Sequence, residues 1–141
     1  MPAMPAAGTA LGDKVRRRLE SEIVIWLTTV GRDGTPQPNP VWFDWDGESV
    51  LTYNRADAAR VAHVTSRPRV SLNFDGDGKG GAIMVIVGEA EIDPRAPSAS
   101  DNPTYAAKYR DHIKRIGQDP AGFASAYPVA IRIRPVGVRG F

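Results

Sequence analysis

Two stretches of this chain hold the polar side chains best placed to grip a ligand. In the first, Gln37 and Asn39 alternate with Pro36, Pro38 and Pro40. Each proline lacks a backbone donor, so the segment cannot pair as an ordinary central strand and must be an edge, a bulge or a ligand-facing segment. A rigid, partly paired strand leaves the two amides free to meet a planar polar ligand. The alternative is an edge strand blunted by proline against aggregation. In the second stretch, a strand ends at Asn54-Arg55, Asp57 is placed to cap a helix starting at Ala58, and Arg60 follows one turn in. A helix N-terminus offers free N–H groups, so with two arginines beside it this junction suits a phosphate. The alternative is that Arg55 and Arg60 pair with surface carboxylates.

Other chemistries fail on spacing or composition. Gly76-Asp77-Gly78-Lys79-Gly80-Gly81 has the spacing of a dinucleotide loop, but Ile83 to Val87 continues it as a strand, and that loop needs a helix. Asp75-Gly76-Asp77 does not start a calcium loop, because its twelfth position is Ile86 instead of a glutamate. The segment therefore reads as a hairpin loop. With no cysteine there is no disulfide, thiolate metal site or cysteine nucleophile, which fits a reducing cytoplasm, and no metal is expected. His63 lies in an apolar helix and reads as packed. Arg16, Arg17 and Arg18 read as the wet face of a helix formed by Leu11, Val15 and Leu19. Proline spoils Asn102-Pro103-Thr104 as a glycosylation site.

The elements that must position these residues follow from periodicity. Ile23 to Val30 is apolar on both alternating sets, so both faces need cover: a barrel interior on one side, a helix or second subunit on the other. Asp33-Gly34 and Asp46-Gly47 are hairpin turns around the proline-rich strand and its continuation Val41-Trp42-Phe43. Further strands are predicted at Val50 to Tyr53, Val70 to Phe74, Ala82 to Ile92 and Val129 to Arg134, with a tail from Pro135 to Phe141. Tyr105, Tyr109, Ile113 and Ile116 line one stripe of a helix stopped by Gly117, and Asp119 to Tyr127 forms another. Six strands with few helices imply a small antiparallel barrel.

Composition sets outer bounds. At 141 residues the chain is one domain, expected over residues 9–141, preceded by a loose Ala- and Pro-rich tail at 1–8 with no signal-peptide pattern. No apolar run approaches the ~18 residues of a membrane span. Lys and Arg number 18 against 16 Asp and Glu, a net charge of +2 that does not call for nucleic acid.

Several segments together resemble the pyridoxamine 5′-phosphate oxidase-like split-barrel proteins, specifically their actinobacterial deazaflavin-dependent branch. They are Trp26 to Val30, Asp33 to Pro38, Pro40 to Phe43, Arg67 to Leu72, Gly88 to Ile92, Tyr105 to Arg110 and Arg134 to Phe141. The resemblance implies a homodimer of six-stranded split barrels with cofactor sites at the interface, using coenzyme F420 or, in some relatives, FMN. It further implies that Gln37, Pro38, Asn39, Pro40, Val41 and Trp42 run along the flavin ring, and that Tyr53, Asn54, Arg55 and Arg60 hold the phosphate. Relatives commonly have Ser at the position of Asn54 and Lys at that of Arg60, which keeps the charge and changes the hydrogen-bond geometry.

A reduced deazaflavin carries the hydride itself, so such a protein need only position the ring, exclude water and donate a proton to its small-molecule substrate. That accounts for a chain without a Ser/His/Asp triad or carboxylate pair. Spacing selects no proton donor among His63, His112 and the tyrosines. A flavin carrier or sensor is the second class. A nucleic-acid-binding barrel using Trp42, Phe43 and Tyr53 is a third, and the near-neutral charge disfavours it.

Overall fold

The structure, a computed structural model, describes residues 4–141. In chain order the elements are α1 Ala10–Ser21, β1 Ile25–Val30, β2 Pro36–Val41, β3 Asp44–Trp45, β4 Val50–Asn54, α2 Ala59–Ser66, β5 Arg69–Asn73, β6 Met84–Ile92, α3 Pro103–Arg115, α4 Pro120–Ala126 and β7 Val129–Gly140. The strands form one antiparallel sheet in the order β2-β1-β5-β6-β7-β4-β3. Its two edges, β2 and β3, are consecutive in the chain, with only Trp42 and Phe43 between them. Six steps at the ~4.8 Å strand spacing would hold the edges of a flat sheet nearly 30 Å apart, whereas this link spans about 10 Å. The sheet therefore curls into a half-barrel seamed at Trp42-Phe43.

Seven strands stand where six were expected. The extra one is β3, a two-residue ladder with Val50 and Leu51 that the sequence absorbs into the Asp46-Gly47 hairpin. β7 also continues past Arg134 to Gly140, where a tail was expected, because a register shift opposite Val87 and Gly88 takes up the interruption at Pro135. Gly88 is required there, since a Cβ on it would lie 2.6 Å from Ile133 Cγ2 and 3.0 Å from the Arg134 carbonyl oxygen. β2 pairs with β1 along its whole length as an edge strand, with Trp26 opposite Pro40, Thr28 opposite Pro38 and Val30 opposite Pro36. The three prolines share one parity, so their missing donors all face the open edge while Gln37, Asn39 and Val41 keep the ladder with β1.

Alternation sorts the side chains into two cores. Inside the barrel, Ile25, Leu27, Phe43, Leu72, Ile86, Ile131 and Ile133 are fully buried, and α1 adds Val15 and Leu19. Outside β4 and β7, Leu51, Tyr53 and Ala130 pack against Tyr105, Tyr109 and Ile113 of α3 and Phe123 of α4. The Tyr109 hydroxyl staples the seam, accepting from the Phe43 amide at 2.9 Å with the Ile23 carbonyl oxygen 2.7 Å away. α3 ends as Gly117 at φ 78° redirects the chain, its amide donating to the Lys114 carbonyl and that of Gln118 to Ile113.

Three local expectations change. Asp57 does not cap α2: Ala58 holds that position without a side-chain bond, and Asp57 pairs with Arg55 at 3.4 Å. The arginines of α1 are not simply a wet face, since Arg18 donates to the Asp75 and Ala82 carbonyls and Arg16 to that of Pro5. Residues 1–3 of the expected tail lie outside the described residues, while Met4 packs on the barrel core.

Candidate functional site

The closing of the seam creates a pocket of about 260 Å³. Pro40, Val41 and Trp42 at the end of β2 line one wall, Tyr53 of β4 and Arg60 of α2 the base, and Tyr105, Ile116, Phe123 and Tyr127 from the α3–α4 region the rest. Trp42 lies parallel to Tyr109 at 4.8 Å between centroids and to Phe123 at 5.5 Å, and Phe123 stacks on Tyr127 at 4.5 Å. The walls are thus stacked aromatic planes, suited to a flat ligand. A second concavity beside Asp46, Glu48, Ser49, Arg132 and Arg134 is larger, at about 520 Å³. Its two arginines are already paired: Arg132 with Asp93 at 2.7 Å and Asp46 at 3.1 Å, and Arg134 with Glu91. The aromatic pocket is therefore the candidate site.

Arg60 is the one charged residue in its lining. Among the described residues no carboxylate lies within ion-pair distance of it, and burial pulls its pKa down, though a guanidinium stays charged throughout the physiological range. Its Nε donates to Asn54 Oδ1 at 2.5 Å. Asn54 is fully buried, and its Nδ2 is held by the Val129 carbonyl oxygen and Thr52 Oγ1, both at 3.1 Å. Asn54 is therefore a strut that fixes the guanidinium. The two terminal nitrogens of Arg60 have no hydrogen-bond partner among the described residues, which leaves a fork for an anion.

The tyrosines differ in how their hydroxyls are tied. Tyr53 donates to the Pro97 carbonyl oxygen at 2.8 Å and accepts from Asn102 Nδ2 at 3.1 Å. Tyr109 is bound into the seam. Tyr105 is only 1% exposed and lines the pocket, yet among the described residues its hydroxyl has no partner. That oxygen is not sealed off: the described residues contain no fully buried side-chain oxygen lacking a hydrogen bond, so the little surface Tyr105 retains includes its hydroxyl.

Of the residues singled out from sequence, the pocket unites Pro40, Val41, Trp42, Tyr53 and Arg60, with Asn54 directly behind Arg60. Gln37, Pro38 and Asn39 lie further along the β2 edge and do not line it. Arg55 is exposed and occupied by Asp57. His63 is packed, its Nδ1 2.9 Å from Thr29 Oγ1. Sequence reasoning missed Tyr105, Ile116, Phe123 and Tyr127, whose helical spacing reads equally well as a packing stripe.

Among the described residues no three His, Cys, Asp or Glu side chains gather as a metal site, and no helix is long and apolar enough to cross a membrane. Comparison with curated proteins finds no match. Among solved structures, the chain is similar to a putative pyridoxamine 5′-phosphate oxidase from Listeria innocua, at 24% identity and TM-score 0.67 over 90% of this chain and 94% of that one. It is also similar to an F420 reductase, at 24% identity and TM-score 0.65 over 88% and 94%. A third neighbour is the heme storage protein HutZ from Vibrio cholerae, at 16% identity and TM-score 0.63 over 94% and 95%. The family model described as pyridoxamine 5′-phosphate oxidase matches residues 11–140, nearly the whole domain, and the chain belongs to that family.

Proposed function

We propose that this protein is a homodimeric oxidoreductase that uses the reduced deazaflavin coenzyme F420 to reduce a small electron-poor organic substrate, with FMN as the alternative cofactor. The observation that carries the reading is Arg60, a cation without a carboxylate partner among the described residues, fixed by a buried asparagine at the base of an aromatic pocket. An anionic, planar cofactor supplies both things this pocket lacks. When bound, the reduced deazaflavin supplies the hydride. Arg60 holds the phosphate through its free fork, and Asn54 keeps that fork aimed. Pro40, Val41, Trp42 and Tyr53 flank the ring, with Gln37, Pro38 and Asn39 extending the contact along the strand edge and Arg55 adding positive charge outside the pocket. Ile116, Phe123 and Tyr127 keep water from the ring.

The outer face of β1, β5 and β6 supports a second copy. The register aligns Pro40, Trp26, Asn73 and Val85 in one row and Pro38, Thr28, Ser71 and Val87 in the next. Trp26, Val85 and Val87 belong to neither core, and Val136 beside them is 41% exposed. Through Pro40 this face runs into the pocket rim, so a partner seated on it contributes to the cofactor site. Parallel titrations of the purified protein with F420 and FMN at low and high salt test the cofactor. F420 is expected to bind more tightly, because its phosphate continues into an anionic tail, and the margin should shrink as salt screens the arginines. Arg55 and Arg69 are paired with Asp57 and Glu89, so the salt-sensitive part rests on Arg60 and Arg67. Equal or tighter FMN binding at low salt overturns the F420 assignment.

A further inference from the structure

We infer that the Tyr105 hydroxyl is the specificity-determining hydrogen-bond donor of the pocket, selecting a planar ligand that carries a carbonyl or ring-nitrogen acceptor besides the anion held by Arg60. This rests on the reading of the pocket as a cofactor site and adds a second polar fixed point to it. A phenol 99% removed from solvent normally finds a partner, because a buried polar group left unpaired costs stability. Here the neighbouring tyrosines show the usual solution: Tyr53 is bound to Pro97 and Asn102, and Tyr109 to Ile23 and Phe43. Tyr105 touches both of their rings, edge-on to Tyr53 at 4.7 Å and tilted against Tyr109 at 4.7 Å, so its ring is locked in place. Among the described residues it lacks only a partner for its oxygen, and Tyr105 lines the same pocket as Arg60.

Burial pushes the Tyr105 phenol well above its ordinary range, so it keeps its proton and stays a donor throughout the physiological range. A rigid aromatic wall with one cation, the Tyr105 donor and the Tyr127 hydroxyl, which also has no partner among the described residues, matches a ring system that is anionic at one end and has a heteroatom acceptor elsewhere. A simple apolar substrate leaves the hydroxyl unpaired and a simple anion leaves the aromatic walls uncovered, so this arrangement favours ligands that combine both features.

The test is Tyr105→Phe, with Tyr53→Phe as its counterpart, each measured without ligand by thermal unfolding and with F420 and FMN by absorbance titration. Tyr105→Phe removes no bond in the free protein, so its Tm is expected to equal or exceed that of the wild type, while Tyr53→Phe lowers it. Cofactor affinity of Tyr105→Phe is expected to fall about three- to tenfold, the range for one neutral hydrogen bond, and the absorption maximum of the bound cofactor to shift. If Tyr105→Phe lowers Tm as much as Tyr53→Phe, the hydroxyl is partnered in the free protein and the inference fails whatever binds. If the wild type binds a cofactor and Tyr105→Phe matches it in affinity and spectrum, the inference fails and the cofactor reading stands. If neither cofactor binds the wild type, both fall.

Discussion

Replacing Arg60 by alanine separates the anion role of this side chain from its structural one. In the free protein the change removes the 2.5 Å bond to Asn54 Oδ1, leaving a fully buried carbonyl oxygen without a partner. Such an orphan costs about 1–3 kcal/mol, but the half-buried guanidinium also sheds its own desolvation, which works in the opposite direction. The net loss is about 1 kcal/mol, or roughly 3–5 °C in Tm for a chain of this length. In the bound state the loss is larger: charge-assisted hydrogen bonds contribute about 1.5–3 kcal/mol, so Kd rises roughly 10- to 150-fold. Arg55 makes the contrast. Its ion pair with Asp57 is open to water, with side chains 60% and 82% exposed, so Arg55→Ala shifts stability by about 0–1 kcal/mol and weakens binding much less than Arg60→Ala. Chemical unfolding of both variants, with cofactor titrations at low salt, measures all four quantities. Binding by Arg60→Ala within twofold of the wild type refutes the assignment, and so does an Arg55→Ala loss equal to that of Arg60→Ala.

Three further outcomes are expected. Tyr109→Phe removes the hydroxyl that ties the Phe43 amide and the Ile23 carbonyl across the seam, so it should lower unfolding stability by about 1–3 kcal/mol; a change under ~0.5 kcal/mol would show that the seam holds without it. Wild-type protein should run as a dimer in light scattering, and Val87→Glu, in the middle of the outer face, should release monomer; an unaltered dimer moves the interface elsewhere. Stability should rise between pH 8 and 10, because burial pulls Lys108 down to about 8 while the unfolded chain keeps its lysine protonated to near 10.4, so the unfolded state binds more protons in that window. Above pH 10 the sign reverses, since Tyr105 and Tyr109 are pushed above the phenol value of the unfolded chain. Lys108→Met should lose the rising limb and keep the falling one in urea unfolding across this range.

Much of the sheet was legible because backbone chemistry dictates it. Three prolines of one parity can occupy a ladder only at an open edge, and β2 lies there. The same rule misled at Pro135, which reads as the end of a strand, because a bulge that lets pairing resume depends on Gly88 of the opposite strand. Asp57 has a good capping side chain and the right spacing, but the neighbouring Arg55 competes for its carboxylate. Arg55, the other member of that pair, does not line the pocket. Arg60 was legible as a cation near a helix start; that Asn54 serves it as a strut could be seen only once Val129, 75 residues away, was placed against Asn54.

The pocket wall from α3 and α4 marks where reading by pattern stops. Tyr105, Tyr109, Ile113 and Ile116 satisfy the periodicity of a helix that buries one face, and the spacing is the same whether each member fills a core or frames a cavity. The distinction lies in single atoms. Tyr109 and Tyr105 are one turn apart and buried alike, yet the first hydroxyl closes the seam of the barrel while the second has no partner among the described residues. No periodicity carries that difference, because a hydroxyl's partner is set by where β2 and β3 meet, and they meet only because five other strands curl between them. A local break in an otherwise satisfied network is where a folded chain has kept a group for something other than folding. On that ground the unpaired oxygen of Tyr105, together with the free fork of Arg60, singles out the aromatic pocket as the candidate site.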